Sequence, residues 1–141
     1  MAYYELSFKL SKRTGGITPP VQARIFAYTG LALYESVVGG MPRHRSVTPY
    51  LNGIGELPKP HGNYHWPLVA SAAMAEVMRG LWGDATDVAA QNIADIDELE
   101  ARFESAADAT ELRWGDPPTV STTTGLAQNP VLFFFGPGPI S

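Results

Sequence analysis

Apolar residues recur at helical spacing in four places along this chain, and in two of them no wide polar face is left. The first and shortest runs from Tyr3 to Lys12, with Tyr3, Leu6 and Leu10 in register and Tyr4 and Phe8 beside them. Thr14-Gly15-Gly16 ends it. The second opens at Thr18, whose side-chain oxygen is the expected N-cap, with Pro19 at the first helical position, where a missing N–H costs nothing. It continues to about Val38, and Gly39-Gly40 supplies the left-handed residue that commonly closes a helix, before Pro42 forbids continuation. Val21, Ile25, Tyr28, Ala32 and Glu35 share one side of it, while Phe26, Thr29, Leu33 and Val37 share another. A helix apolar nearly all round is expected at the centre of a fold.

The third element restarts at Trp66-Pro67, runs to about Trp82 and stops at Gly83. Ala70, Ala72, Ala73 and Ala75 let a neighbouring helix come close, and Leu68, Val69, Met74, Val77, Met78 and Leu81 give bulk. Asp84 or Thr86 caps the fourth, in which Ile93, Ile96, Leu99 and Phe103 form a one-sided stripe, with Asp95, Glu98 and Arg102 facing water. That amphipathic helix is expected to end near Ala107. Between the second and third elements, residues 41–65 hold Pro42, Pro49, Pro58 and Pro60 with several Asn and Gly, a long irregular connection of the kind laid over a functional or partner surface.

Patterning stops at about residue 113. From Trp114 the chain carries one charge, at Asp116, five prolines and no periodicity. Val131 to Phe135 reads as a short strand or an aggregation-prone run. The division expected is therefore an all-α partial helical bundle over residues 3–110 and an irregular tail over 114–141, either disordered or non-native.

Composition narrows the picture a little. With 45% apolar and 17% charged residues in 141, the chain is globular in character and sized for one domain. A net charge of −4 without a basic stripe speaks against nucleic acid as a partner. The small basic groups, Lys9, Lys12 and Arg13 and then Arg43 and Arg45, read as solvated surface. There is no cysteine, so disulfides and thiolate metal sites are excluded. The segment Met1 to Lys12 lacks the layout of a signal peptide, so an exported parent would carry its signal upstream. Arg24 and Glu35 interrupt the longest apolar stretch, and a membrane span is not expected.

The stretch from Thr18 through Tyr34-Glu35-Ser36-Val37-Val38-Gly39-Gly40-Met41-Pro42 to Ser46 resembles the N-terminal region of bacterial vanadium-dependent haloperoxidase homologues, in the type 2 phosphatidic acid phosphatase superfamily. Leu51-Asn52-Gly53, Leu57-Pro58 and Tyr64-His65-Trp66-Pro67-Leu68-Val69-Ala70-Ser71 are similar in the same order, so the likeness covers about residues 3–107. It implies an all-α bundle whose vanadate or phosphate site is built from later helices. In that family three elements hold the oxyanion: Lys-x6-Arg-Pro, Pro-Ser-Gly-His and Ser-Arg-x5-His. Here the residues seven beyond Lys9, Lys12 and Lys59 are Gly16, Pro19 and Trp66, and neither Ser-Gly-His nor Ser-Arg occurs. No catalytic, cofactor-binding or metal-ligating residue is carried over. Vanadate is expected only in a full-length parent, and the partner of this chain would be the missing catalytic half or a second subunit, met through apolar helix faces.

The remaining chemistry is thin. His61 and His65 are four apart, as helical ligands are, but Gly62, Asn63 and Pro67 make their stretch a loop without a third ligand. His44 between Arg43 and Arg45 suits an anion contact or a solvated turn. Arg24 and Glu35 lie three turns apart on an apolar helix, where an unpaired charge is expensive to bury. Each is expected to find a partner in the rest of the parent fold, or else to support the anion site. Arg24, Tyr34, Glu35, Trp66 and Pro67 are thus the residues given structural weight, with Trp66 and Trp82 anchoring the two ends of the third helix. A stand-alone helical interaction module, binding through the apolar face of residues 18–38, is the alternative.

Overall fold

A computed structural model describes residues 1–52, 64–85 and 87–114, with side chains as far as Asp108. The described residues form an all-α partial bundle of four helices: α1 (Ala2–Arg13), α2 (Pro19–Val37), α3 (Trp66–Trp82) and α4 (Ala89–Trp114). Two short 3-10 turns, Val38–Gly40 and Thr48–Tyr50, follow α2. Expectations for 53–63 and for the tail beyond Trp114, including His61 and the Val131–Phe135 run, lie outside the described residues.

The central helix is α3, not α2. α3 packs against α2 on one side and α4 on the other, and α1 lies across α4 and α3. Ser71, Ala72, Ala73, Met74, Ala75, Val77, Met78 and Trp82 of α3 are buried, whereas Val21 and Tyr28 of α2 remain exposed. The reason is shape. Small side chains at 70–73 and 75 let backbones approach α3 on two sides, while α2 packs closely on α3 alone and leaves its opposite side open. One apolar cluster joins Tyr3 and Leu10 of α1, Ile25 of α2, Met74, Met78 and Trp82 of α3, and Ile96 and Leu99 of α4. A smaller one joins Ala32 to Ala73 and Val77.

Local chemistry sets the helix ends, with several departures from expectation. Thr18 is the N-cap residue of α2 but makes no side-chain cap bond; Pro20 leaves only the Val21 amide of the two such a cap would receive. α2 does not close on a left-handed glycine. It tightens into the Val38–Gly40 turn, where the Met41 N–H donates to the Val38 carbonyl at 3.0 Å. The left-handed position is Gly16, at φ +82°, which turns the chain from α1 into α2. At the start of α3 the cap is His65, whose Nδ1 accepts the Leu68 N–H at 3.3 Å, with Trp66 and Pro67 in the first turn. α4 runs on to Trp114, beyond the expected end near Ala107.

Polar groups inside the bundle are mostly tied. Tyr3 and Ser71 share a buried hydrogen bond of 2.7 Å, and Thr29 donates to the Ile25 carbonyl at 2.7 Å. Asn92 is fully buried where α1, α3 and α4 converge. Its Oδ1 accepts from Arg13 Nε at 3.0 Å and Nη2 at 2.7 Å, and its amide donates to Thr14 Oγ1 at 3.1 Å and the Trp82 carbonyl at 3.3 Å.

Candidate functional site

Two places in the described fold carry more chemistry than packing needs. The first is a groove between α1 and α2. These helices meet through side chains rather than closely packed backbones, and aromatic rings bridge the gap. Phe8 and Phe26 stack with centroids 6.2 Å apart and planes 16° apart, and Tyr4 lies tilted on Phe26 at 5.9 Å. The space they line is about 830 Å³. Phe8 is 53% exposed despite its place mid-helix.

Lys9, Lys12 and Arg13 line the same groove, with Glu5 the one acid there. Lys9 and Lys12 are exposed, as expected of a solvated surface, and all three cations are also engaged. Lys9 Nζ and Arg13 Nη2 each lie 3.0 Å from Asp95 Oδ2 on α4, and the Lys12 ammonium sits 5.5 Å above the Phe8 ring. Asp95, expected to face water alone, is therefore paired twice. Burial pushes its carboxyl up, but the bonds and charges of Lys9 and Arg13 outweigh this and hold it below the ordinary aspartate value.

The second place is Glu35, near the end of α2. It is only 4% exposed, and its Oε1 accepts the Val47 N–H at 2.7 Å. Its Oε2 is buried without a hydrogen-bond partner among the described residues. Tyr34 beside it donates its hydroxyl to the Arg45 carbonyl at 2.8 Å, and Ser46 Oγ and Thr48 Oγ1 lie 2.7 Å apart. Together Tyr34 and Glu35 pin residues 45–48 back onto α2. An unpaired carboxylate oxygen in such a setting is a cost the fold carries.

The remaining expected residues divide. Arg24 is exposed, so it needs no buried partner, and it does not share a site with Glu35. Arg43, His44 and Arg45 are exposed. Trp66 is half-buried, with Tyr64 tilted on it at 5.4 Å, and its indole fills the space beside Gly40. Pro67 is exposed in the first turn of α3. Trp82 is 1% exposed and anchors the far end of α3.

Three cations among the described side chains are already engaged within the bundle. Arg79 is claimed by Asp97 at 2.7 Å, by Glu76 at 3.4 Å and by Glu100, and Lys9 and Arg13 share Asp95 on a different face. Burial lowers the Arg79 pKa, but the bonds from Glu100 and Asp97 outweigh this and raise it above its ordinary value, so its charge is spent within the bundle. No group of three His, Asp or Glu among the described residues is placed to hold a metal ion. No helix among them is long and apolar enough to cross a membrane. No family model, curated protein or solved structure matches the chain.

Sequence reasoning missed Asn92 and left Asp95 facing water. Each is a polar residue on a helix that reads as amphipathic, and each takes its meaning from another helix. The only sequence signal was that Asn92 precedes Ile96 by four.

Proposed function

We propose that this chain is a helical scaffold belonging to a vanadium-dependent haloperoxidase-like protein, and that by itself it is catalytically inert. The parent would oxidise halide with vanadate and peroxide, or hydrolyse a phosphate ester. The observation that carries the scaffold role is the aromatic groove of α1 and α2, an open apolar surface on a bundle whose core is complete without it. Support for the family comes from the two resembling stretches. They fall on α2 with its following turn and on the start of α3, and they touch where the Trp66 indole meets Gly40.

The test is halogenation by purified chain supplied with vanadate, peroxide and bromide. The expected rate equals that of free vanadate, and a rate above it would overturn the inert-scaffold reading. A second reading, a stand-alone interaction module, is favoured by the continuous core around α3 and the Asn92 junction. Sharp two-state melting of a monomer without hydrophobic-dye binding supports the module; dye binding by the folded chain supports the scaffold.

A further inference from the structure

We infer that the α1–α2 groove is the seat of an acidic amphipathic helix from a protein partner, its apolar side chains lodged on Phe8 and Phe26 and its carboxylates against Lys9 and Lys12. This rests on the scaffold reading, since it names what that scaffold receives.

Shape comes first. α1 and α2 meet only through side chains, and the open concavity beside them is lined by Tyr4 and Phe8 of α1 and Phe26 of α2, an apolar strip along α1. An amphipathic helix laying one apolar stripe into such a groove is a recurrent mode of recognition. Charge then selects the occupant. The chain is acidic overall, at −4, yet the groove is lined by three cations and one acid. Asp95 anchors Lys9 and Arg13 from behind, while the Lys9 side chain stays 63% exposed, so its ammonium is positioned and still open to a partner. Lys12 over the Phe8 face couples the charged rim to the apolar floor. A second copy of the chain meeting this face symmetrically would bring the same cations against these, which is unfavourable. Of the α4 acids, Asp95 is engaged here and Asp97 and Glu100 are engaged with Arg79.

The probe is a blocked synthetic peptide with Leu at i, i+3, i+4 and i+7 and Glu at the other positions, titrated into the full chain by fluorescence anisotropy. Its isomer with Lys in place of Glu is the comparison. The Glu peptide is expected to bind about tenfold more tightly, and added salt to erode the difference. Phe8→Ser is expected to weaken binding with little change in melting, because the ring is exposed. Lys12→Glu, which leaves the floor intact, is expected to remove the preference between the peptides. Equal binding of the two peptides, or Glu-peptide binding unchanged in both variants, would overturn the inference. So would association with phosphatidylserine vesicles in the absence of peptide binding, or self-association abolished by Phe8→Ser. Halogenation by the chain alone would sink the scaffold reading and leave these titrations as they stand.

Discussion

Replacing Asn92 by Ala tests the junction that ties three helices together. The wild-type side chain accepts two bonds from the Arg13 guanidinium and donates two more, to Thr14 and to the Trp82 carbonyl. A hydrogen bond to a charged group contributes about 1.5–3 kcal/mol and a neutral one about 0.5–1.5 kcal/mol. Both Arg13 bonds end on one oxygen and count nearly as one, and the donated bonds are long, so the low end applies to them. Arg13 also keeps Asp95 after the change, which limits the loss. The expected destabilisation is about 3 kcal/mol, which for a domain of about this size lowers the melting midpoint by roughly 10–20 °C. Differential scanning calorimetry of the variant measures it. Arg13→Met alone and the Asn92→Ala, Arg13→Met double variant complete a cycle, and the two losses should fall short of additive by about 1–2 kcal/mol. A midpoint within about 3 °C of wild type, or strict additivity, would refute a cooperative junction at Asn92.

Three further outcomes follow from the buried polar groups. Burial pushes the Tyr3 hydroxyl up to about 12, only partly countered by its bond to Ser71. Its stabilising contribution is therefore whole below the unfolded value of about 10 and is lost as pH rises from there through about 12, so denaturant midpoints should fall over that window in wild type and less in Tyr3→Phe. Glu35→Gln keeps an acceptor for the Val47 N–H and removes an unpartnered buried charge, so urea unfolding should show no loss, or a gain of up to about 1 kcal/mol; a loss above about 2 kcal/mol would show that the carboxylate is satisfied in a way the geometry does not display. Arg79→Met leaves Glu76, Asp97 and Glu100 facing one another, and the expected loss of about 1–2 kcal/mol in low salt should shrink as salt is added.

Much of the backbone was legible because its signals are local. Pro19, Pro67 and Gly83 mark helix ends through constraints that need no knowledge of the rest of the fold. Which helix lies in the middle was not legible from hydrophobicity, since α2 and α3 are both apolar. Side-chain volume decided it, through the alanines at 72, 73 and 75. The groove was half visible: Tyr4 and Phe8 stood beside the α1 stripe, but their meeting with Phe26 needs the turn at Gly16. The Lys9–Asp95 and Arg13–Asn92 pairings span most of the described chain, and no periodicity within one helix announces them. Which of the two charges of α2 is buried was not legible either: Arg24 is a long flexible side chain on a helix edge and reaches water, whereas Glu35 points inward.

The contact of Gly40 with the Trp66 indole has a consequence for how this protein can change. A methyl group at position 40 would collide with the ring, so the two ends of the 41–65 excursion are clasped together at its base. Lengthening a segment whose ends are already joined is cheap, about 0.6 kcal/mol for each doubling. Evolution or an engineer can therefore insert residues between positions 52 and 64 at small cost to the bundle, provided the clasp of glycine and indole, the ties of Tyr34 and Glu35 to residues 45–47 and the His65 cap are kept.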